Sequence, residues 1–261
     1  MRILITNDDG IHAEGLAALE RIAGVLSDDV FVVAPETEQS GTSRSLTLTV
    51  PLRVRQISER RFGVSGTPTD CISLGVQHLI EGAKPDLVLS GVNRGQNLAE
   101  DVTMSGTVAG AIEGMALGIR SIALSQALSA EPAENPYAVS ETFAPGIIER
   151  LLEAGWPDGV IMNLNFPLSA GADPQVEVTR QGLRDVRTRY TEKRTDLRGR
   201  DYYWLGYRNI PSKPAEGTDL RAYYEGRISV TPLHIDLTHM PTVHDLKAVL
   251  GGAPPKPRTG A

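Results

Sequence analysis

A chain of 261 residues that is 41% hydrophobic and 22% charged can bury one sizeable core with at most an appendage, which excludes wholesale disorder. Its net charge of -6 gives no support to a general nucleic-acid binder. A single cysteine, Cys71, excludes an internal disulfide and a cysteine-based zinc site. No window approaches the ~18 apolar residues of a membrane span, and the chain opens on Arg2-Ile3-Leu4-Ile5 with no signal-peptide pattern, so a cytoplasmic protein with no membrane partner is expected.

Arg2 to Thr6 is a short apolar run. Leu16, Leu19, Ile22, Ala23 and Leu26 then recur at helical spacing, and Val30 to Ala34 is again a continuous β-branched run, which makes a βαβ unit. Between Leu46 and Val64 the pattern changes to alternation, with Leu46, Leu48, Val50 and then Leu52 and Val54, predicting a hairpin beside the parallel sheet, at an edge. The βα cycle resumes with a strand at Asp86 to Ser90, a small-residue helix at Thr107 to Leu117 and a strand at Ser121 to Leu124. An amphipathic helix at Ser140 to Ala154 and a strand at Val160 to Leu164 follow. Strands that are apolar on both faces between helices imply a mostly parallel sheet covered on both sides, with its ligand crevice at the carboxyl ends of the strands.

The character changes after Pro167. From Arg180 to Arg200 eight basic residues face three acidic ones, followed by the aromatic run Asp201 to Leu205, a last strand at Arg227 to Leu233 and a Gly- and Pro-rich tail, Gly251 to Ala261, expected to fray. The expected division is a catalytic core over 1–170 and a C-terminal extension over 171–261. The basic arm and its apolar aromatics call for cover from a neighbouring subunit.

Each notable polar cluster follows a predicted strand. Asn7-Asp8-Asp9-Gly10 sets two carboxylates side by side with no basic neighbour in sequence, a repulsion that a divalent cation relieves, and hard oxygen donors favour Mg²⁺, Mn²⁺ or Ca²⁺ over zinc. Taken singly, the same residues also read as a turn and a helix cap. Ser40 and Asn93, after the next two strands, offer neutral oxygens beside glycines. Ser105-Gly106-Thr107 opens a helix whose free N–H groups and hydroxyls suit an anion, although each such segment alone is also an ordinary cap. Together, three loops converging on one sheet edge and a phosphate-type helix start imply phosphoryl-ester hydrolysis, with in-line attack by water and no covalent phosphoenzyme required.

These segments, with Ser65-Gly66-Thr67-Pro68-Thr69-Asp70-Cys71, Asp101-Val102-Thr103 and Ile228-Ser229-Val230-Thr231-Pro232-Leu233, resemble in order the motifs of the SurE family of survival-protein nucleotidases, from residue 1 to about residue 240. The resemblance implies a Rossmann-like three-layer α/β/α fold with a C-terminal β-rich oligomerisation extension that forms a homodimer or homotetramer. It implies hydrolysis of nucleoside 5′- and 3′-monophosphates, and activity on short polyphosphate. It further implies one Mg²⁺ or Mn²⁺ per subunit held by Asp8, Asp9, Ser40 and Asn93, with Asn97, Ser105, Gly106 and Thr107 joining both aspartates as catalytic residues. The family commonly has a glycine where Ala99 stands and a tyrosine where Met104 stands, and Glu100 adds negative charge that would weaken binding of highly charged substrates if it pointed inward.

Other chemistries fit less well. The five histidines lack a metal-ligand spacing, although His12 lies five residues beyond Asn7 and could assist the leaving group. Cys71 stands at a predicted helix start, a position that can lower a thiol pKa, but packing is the simpler role. Neither the G-x-G-x-x-G fingerprint nor a P-loop is present. A haloacid-dehalogenase-like phosphatase would need Asp-x-Asp instead of Asp-Asp, and a non-catalytic nucleotide or phosphate sensor would keep the fold and metal without turnover.

Overall fold

The computed structural model describes residues 1–129, 131–171, 174–184, 189–207, 210 and 213–251. The first apolar run forms β1 (Arg2–Thr6), and α1 (Glu14–Leu26) returns the chain to β2 (Asp29–Pro35), parallel to β1. A hairpin of β3 (Val54–Ser58) and β4 (Arg61–Val64) follows, then α2 (Pro68–Leu74), which runs into a π-helical turn over Gly75–Leu79. β5 (Leu87–Arg94), α3 (Gly106–Ala116), β6 (Arg120–Gln126), α4 (Ala138–Ala154) and β7 (Val160–Phe166) continue the alternation.

The nine-stranded sheet has the order β3-β4-β2-β1-β5-β6-β7-β11-β8, completed by β8 (Val176–Val178) and β11 (Ile228–His234). Strands β4, β2, β1, β5, β6 and β7 run parallel, while β3 and β11 lie antiparallel to β4 and β7. Ile3 and Ile5 face one core with α1 and α4, whereas Leu4 faces the other with α2. Both faces are therefore covered, as an apolar parallel sheet requires. The order reverses at β1: β2 lies to one side and β5, β6 and β7 to the other. Such a switch point opens a crevice at the strands' carboxyl ends.

The hairpin expected between Leu46 and Val64 occupies only the second half of that stretch, as β3 and β4. Leu46, Leu48 and Val50 are exposed and outside any strand. Local side-chain bonds hold this stretch instead: Asp70 accepts from Thr47 N and Oγ1 at 3.2 and 2.7 Å, and Thr67 Oγ1 donates to Ser45 O at 2.8 Å. Thr67 and Asp70 also form the capping box of α2. Cys71, one residue on, is fully buried in the α2 core and burial pushes its thiol well up, so it packs and does not react. The hairpin itself does lie at the edge of the sheet.

Beyond the main sheet, β9 (Arg189–Thr195) and β10 (Asp201–Tyr207) form a separate antiparallel ribbon, α5 (Asp219–Tyr224) packs on β11, and α6 (Met240–Leu250) has no buried residue. Most of the Gly251 to Ala261 tail expected to fray lies outside the described residues, as do residues 185–188 of the basic arm.

α3 sits flush on the sheet because it is built from small residues. A Cβ at Gly114 would overlap Ser121 Oγ and come within 2.8 Å of Val88 Cγ2, whereas one at Gly146 of α4 would meet nothing. Gly114→Ala is therefore expected to lower unfolding stability by about 1–3 kcal/mol, and Gly146→Ala to raise it by about 0.4–1 kcal/mol, read as opposite shifts of the urea midpoint.

Candidate active site

The crevice is built from the loops that leave β1, β2 and β5 and from the start of α3. After β1, Asn7 Nδ2 donates to Gly10 O at 3.0 Å and Gly10 takes φ +107°, closing a tight turn that holds Asp8 and Asp9 at the strand end. Gln39 N donates to Asp8 O at 2.7 Å, tying the β2 loop to this turn. In β5 the register with β6 shifts between Ser90 and Asn93, and a Cβ at Gly91 would collide with Leu124 O. This irregularity brings Asn93 to the cavity wall.

Asp8 is only 4% exposed. Burial pushes its carboxyl from 3.8 up to about 6; the hydrogen bond from Thr107 opposes the rise, and the neighbouring Asp9 adds to it. Burial also raises Asp9, partly offset by Arg94 N, which donates to Asp9 Oδ2 at 3.2 Å, while the charge of Glu38 adds to the rise. Among the described residues no Lys, Arg or His forms an ion pair with either carboxylate. A buried and a half-buried anion side by side, with only the charge of Arg94 partly offsetting Asp9, suit a hard divalent ion. The neutral donors match: Asn93 Nδ2 is committed to Gly95 O at 2.9 Å, so its oxygen is the atom able to coordinate, and Ser40 Oγ donates to Glu38 Oε1 at 2.8 Å with lone pairs to spare. The described residues hold no group of three or more His, Cys, Asp or Glu suited to a metal, so any such ion would rely on this mixed donor set.

Ser105 is the N-cap of α3, its Oγ accepting from Val108 N at 3.0 Å. Thr107 Oγ1, read from the sequence as a phosphate donor, donates to Asp8 Oδ1 at 2.5 Å. A Cβ at Gly106 would stand 2.7 Å from Asp8 Cβ, so the first turn of α3 presses directly on the carboxylate. The N–H groups of Gly106 and Thr107 belong to that turn, where a helix has no internal acceptor for them.

Asp8, Asp9, Ser40, Asn93, Asn97 and Ser105 line one cavity of about 580 Å³, with Gly106 and Thr107 behind Asp8. His12 is exposed and is not part of the lining, and Glu100 turns to Arg184, accepting from its N at 3.1 Å. Met104, where the family pattern has tyrosine, lines the cavity. Ala99 takes φ +54°, a left-handed conformation that explains why the pattern has glycine there.

Several residues were missed by sequence reasoning. Asn165 Oδ1 accepts from Asn97 N at 2.8 Å, and Asn163 Nδ2 and Asn165 Nδ2 donate to Asn97 O at 2.9 and 3.1 Å. Asn97 Nδ2 donates to Ser125 Oγ at 2.9 Å, so β6 and β7 together fix Asn97. Asp219, fully buried, accepts from Ala99 N, Gly182 N and Leu220 N at 2.9, 2.8 and 2.7 Å. Arg184 Nη1 lies 2.6 Å from Asp101 Oδ2 and 3.7 Å from Glu100 Oε1, an ion pair without hydrogen-bond alignment. Two asparagines at i and i+2 inside an otherwise apolar strand were the available signal, since alternate residues share a face.

Fold and crevice define a Rossmann-like α/β protein with an acidic, oxygen-donor site at the sheet's switch point. Residues 3–188 match the family model "Survival protein SurE", and the chain belongs to that family. It is 69% identical over 259 residues to the 5′-nucleotidase SurE of Caulobacter vibrioides (strain NA1000 / CB15N), covering 98% of both chains. It is 66% identical over 257 residues to the 5′-nucleotidase SurE of Phenylobacterium zucineum, covering 98% of this chain and 100% of the relative. The crystal structure of the SurE protein from Aquifex aeolicus matches with a TM-score of 0.80 at 40% identity, over 95% of this chain and 99% of that one.

The raised Asp8 carboxyl has a consequence for stability. Between about pH 4 and 6 the native state holds a proton that the unfolded chain has released, so stability falls as pH rises through that window. Above it, ionised Asp8 costs on the order of 3 kcal/mol relative to the unfolded chain. With chelator present, the melting temperature of the wild type should drop across this window relative to Asp8→Asn, and Mn²⁺ should restore it more at pH 7.5 than at pH 5.

Proposed function

We propose that this chain hydrolyses nucleoside 5′-monophosphates to nucleoside and phosphate, with one Mg²⁺ or Mn²⁺ held by Asp8, Asp9, Ser40 and Asn93. The observation that carries the reading is a buried Asp8 beside a half-buried Asp9, neither in an ion pair with a side-chain cation among the described residues, at a helix N-terminus, in a chain whose relatives at 66–69% identity are named 5′-nucleotidase SurE. When bound, the ion supplies Lewis acidity and charge neutralisation at the phosphoryl group. The chain's own residues do the rest. Thr107 fixes the orientation of Asp8, and Arg94 N does the same for Asp9. Ser105 anchors the first turn of α3 and lines the cavity, so that the start of this helix can favour the phosphoryl group, while Thr107 gives both its N–H and its hydroxyl to Asp8. Asn97 presents its amide from a backbone locked by Asn163 and Asn165.

Phosphate release from AMP with Mg²⁺ or Mn²⁺ tests the reading. EDTA should abolish it. Asp9→Asn should lose more than about a hundredfold in turnover, while Thr107→Val, which removes only the bond orienting Asp8, should lose about ten- to hundredfold. Thr107→Ser, which keeps the hydroxyl, should recover most of it. Full turnover by Asp8→Asn/Asp9→Asn in chelator would overturn the assignment, and nucleotide binding without phosphate release would make the protein a sensor. Nucleoside 3′-monophosphates and short polyphosphate are the comparison substrates.

The extension after residue 170 carries the proposed assembly contacts. Tyr203, Trp204 and Leu205 of β10 are exposed, as are Met240, Leu246, Val249 and Leu250 of α6. Apolar groups gathered on two elements without cover point to a dimer or tetramer. Light scattering at micromolar concentration should give a multiple of the 28.1 kDa chain mass, and a single-chain mass would refute it. Among the described residues no helix is long and apolar enough to cross a membrane.

A further inference from the structure

The cavity continues beyond the carboxylates. Met104 lines it as well, and so do Leu220, Tyr223 and Tyr224 of α5. Leu220 is buried with Leu98 and Ala99, and Tyr223 packs against the same small cluster, so the core holds this wall in place. The two tyrosine rings lie 5.8 Å apart with planes tilted by 47°, which makes a corner instead of a stack. The start of α5 is fixed as well: Thr218 caps it, and Asp219 bonds Leu220 N, Gly182 N and Ala99 N.

Charge decides what this end can take. The acids lining the cavity are Asp8, Asp9, Glu38 and Asp101, and the bases are Arg94 and Arg184. Arg184 is paired with Asp101 and lies near Glu100, and Arg189, which donates to Met104 Sδ, also acts on Asp101, so among the described residues the basic and acidic charges here balance and leave no surplus for a second phosphate. Aromatic faces beside a buried leucine suit an uncharged, flat heteroaromatic ring.

We propose that Leu220, Tyr223 and Tyr224 form a nucleobase subsite, which rests on the nucleotidase reading and extends it to what selects the substrate. The base stacks on a tyrosyl ring and covers Leu220 while the phosphate stays at the carboxylate end. Every base has a π-face, so the subsite favours nucleotides over base-free phosphate esters and polyphosphate without selecting strongly for one base.

The test compares wild type, Tyr223→Ala/Tyr224→Ala and Tyr223→Phe/Tyr224→Phe. The readouts are kcat/KM for AMP and for ribose 5-phosphate, and calorimetric binding of adenosine in chelator. The ratio of kcat/KM for AMP to that for ribose 5-phosphate should fall about ten- to hundredfold in the alanine variant, with adenosine binding weakened similarly, and the phenylalanine variant should retain both. Tyr224→Ala, which removes the more exposed ring, serves in place of the double variant if that melts early. Equal losses on both substrates, or adenosine binding as in the wild type, would overturn the subsite. If the wild type releases phosphate from neither ester, the nucleotidase reading fails while adenosine binding still decides the subsite.

Discussion

Burying the Asp8 carboxylate beside Asp9 is unfavourable on its own, and the architecture of the crevice is arranged around that cost. Thr107 donates to it, the first turn of α3 presses on it, and the turn closed by Asn7 and Gly10 holds it at the end of β1. None of these contacts neutralises its charge. The fold thus keeps an anion poised where the strand order reverses, the place at which a parallel sheet leaves room for a ligand. A protein cation placed closer would offset that charge and stabilise the chain.

Around that centre the polar groups divide into those that face the cavity and those that hold them. Asn93 reaches the cavity from the end of β5, Ser40 from the loop after β2 and Ser105 from the N-cap of α3. Behind them, Asn163, Asn165 and Ser125 on adjacent strands grip Asn97 by its N–H, its carbonyl and its amide. Rigid strands position a loop more accurately than another loop could, because the ladder fixes both of its attachment points. Asp219 adds a third anchor from α5 and holds Ala99 in its left-handed conformation.

The sheet was legible because buried parallel strands read as unbroken apolar runs, and β1, β2, β5, β6 and β7 all stand where Ile3, Val32, Leu87, Ile122 and Ile161 place them. The carboxylates were legible because adjacency in sequence forces adjacency in space. Asn163, Asn165 and Arg184 were not, since each acts on a loop 66 to 84 residues away and long-range partners leave no local signal. Asp219 follows a threonine and reads as an ordinary helix start, which it also is. The stretch from Leu46 to Val50 misled because alternation reports a strand only when a ladder competes successfully with local side-chain bonds, and here Asp70 won.

Asp219 ties the order of synthesis to the completion of the site. Asp8, Asp9, Asn93 and Ser105 all emerge from the ribosome in the first half of the chain, and the parallel sheet through β7 can gather as soon as residue 166 is free. The loop at Ala99 still lacks its anchor at that point, because the carboxylate that holds it lies 120 residues downstream. A nascent chain therefore owns the charged half of its pocket well before the half that shapes it, and the wall carrying Leu220 and Tyr223 arrives in the same step as the anchor.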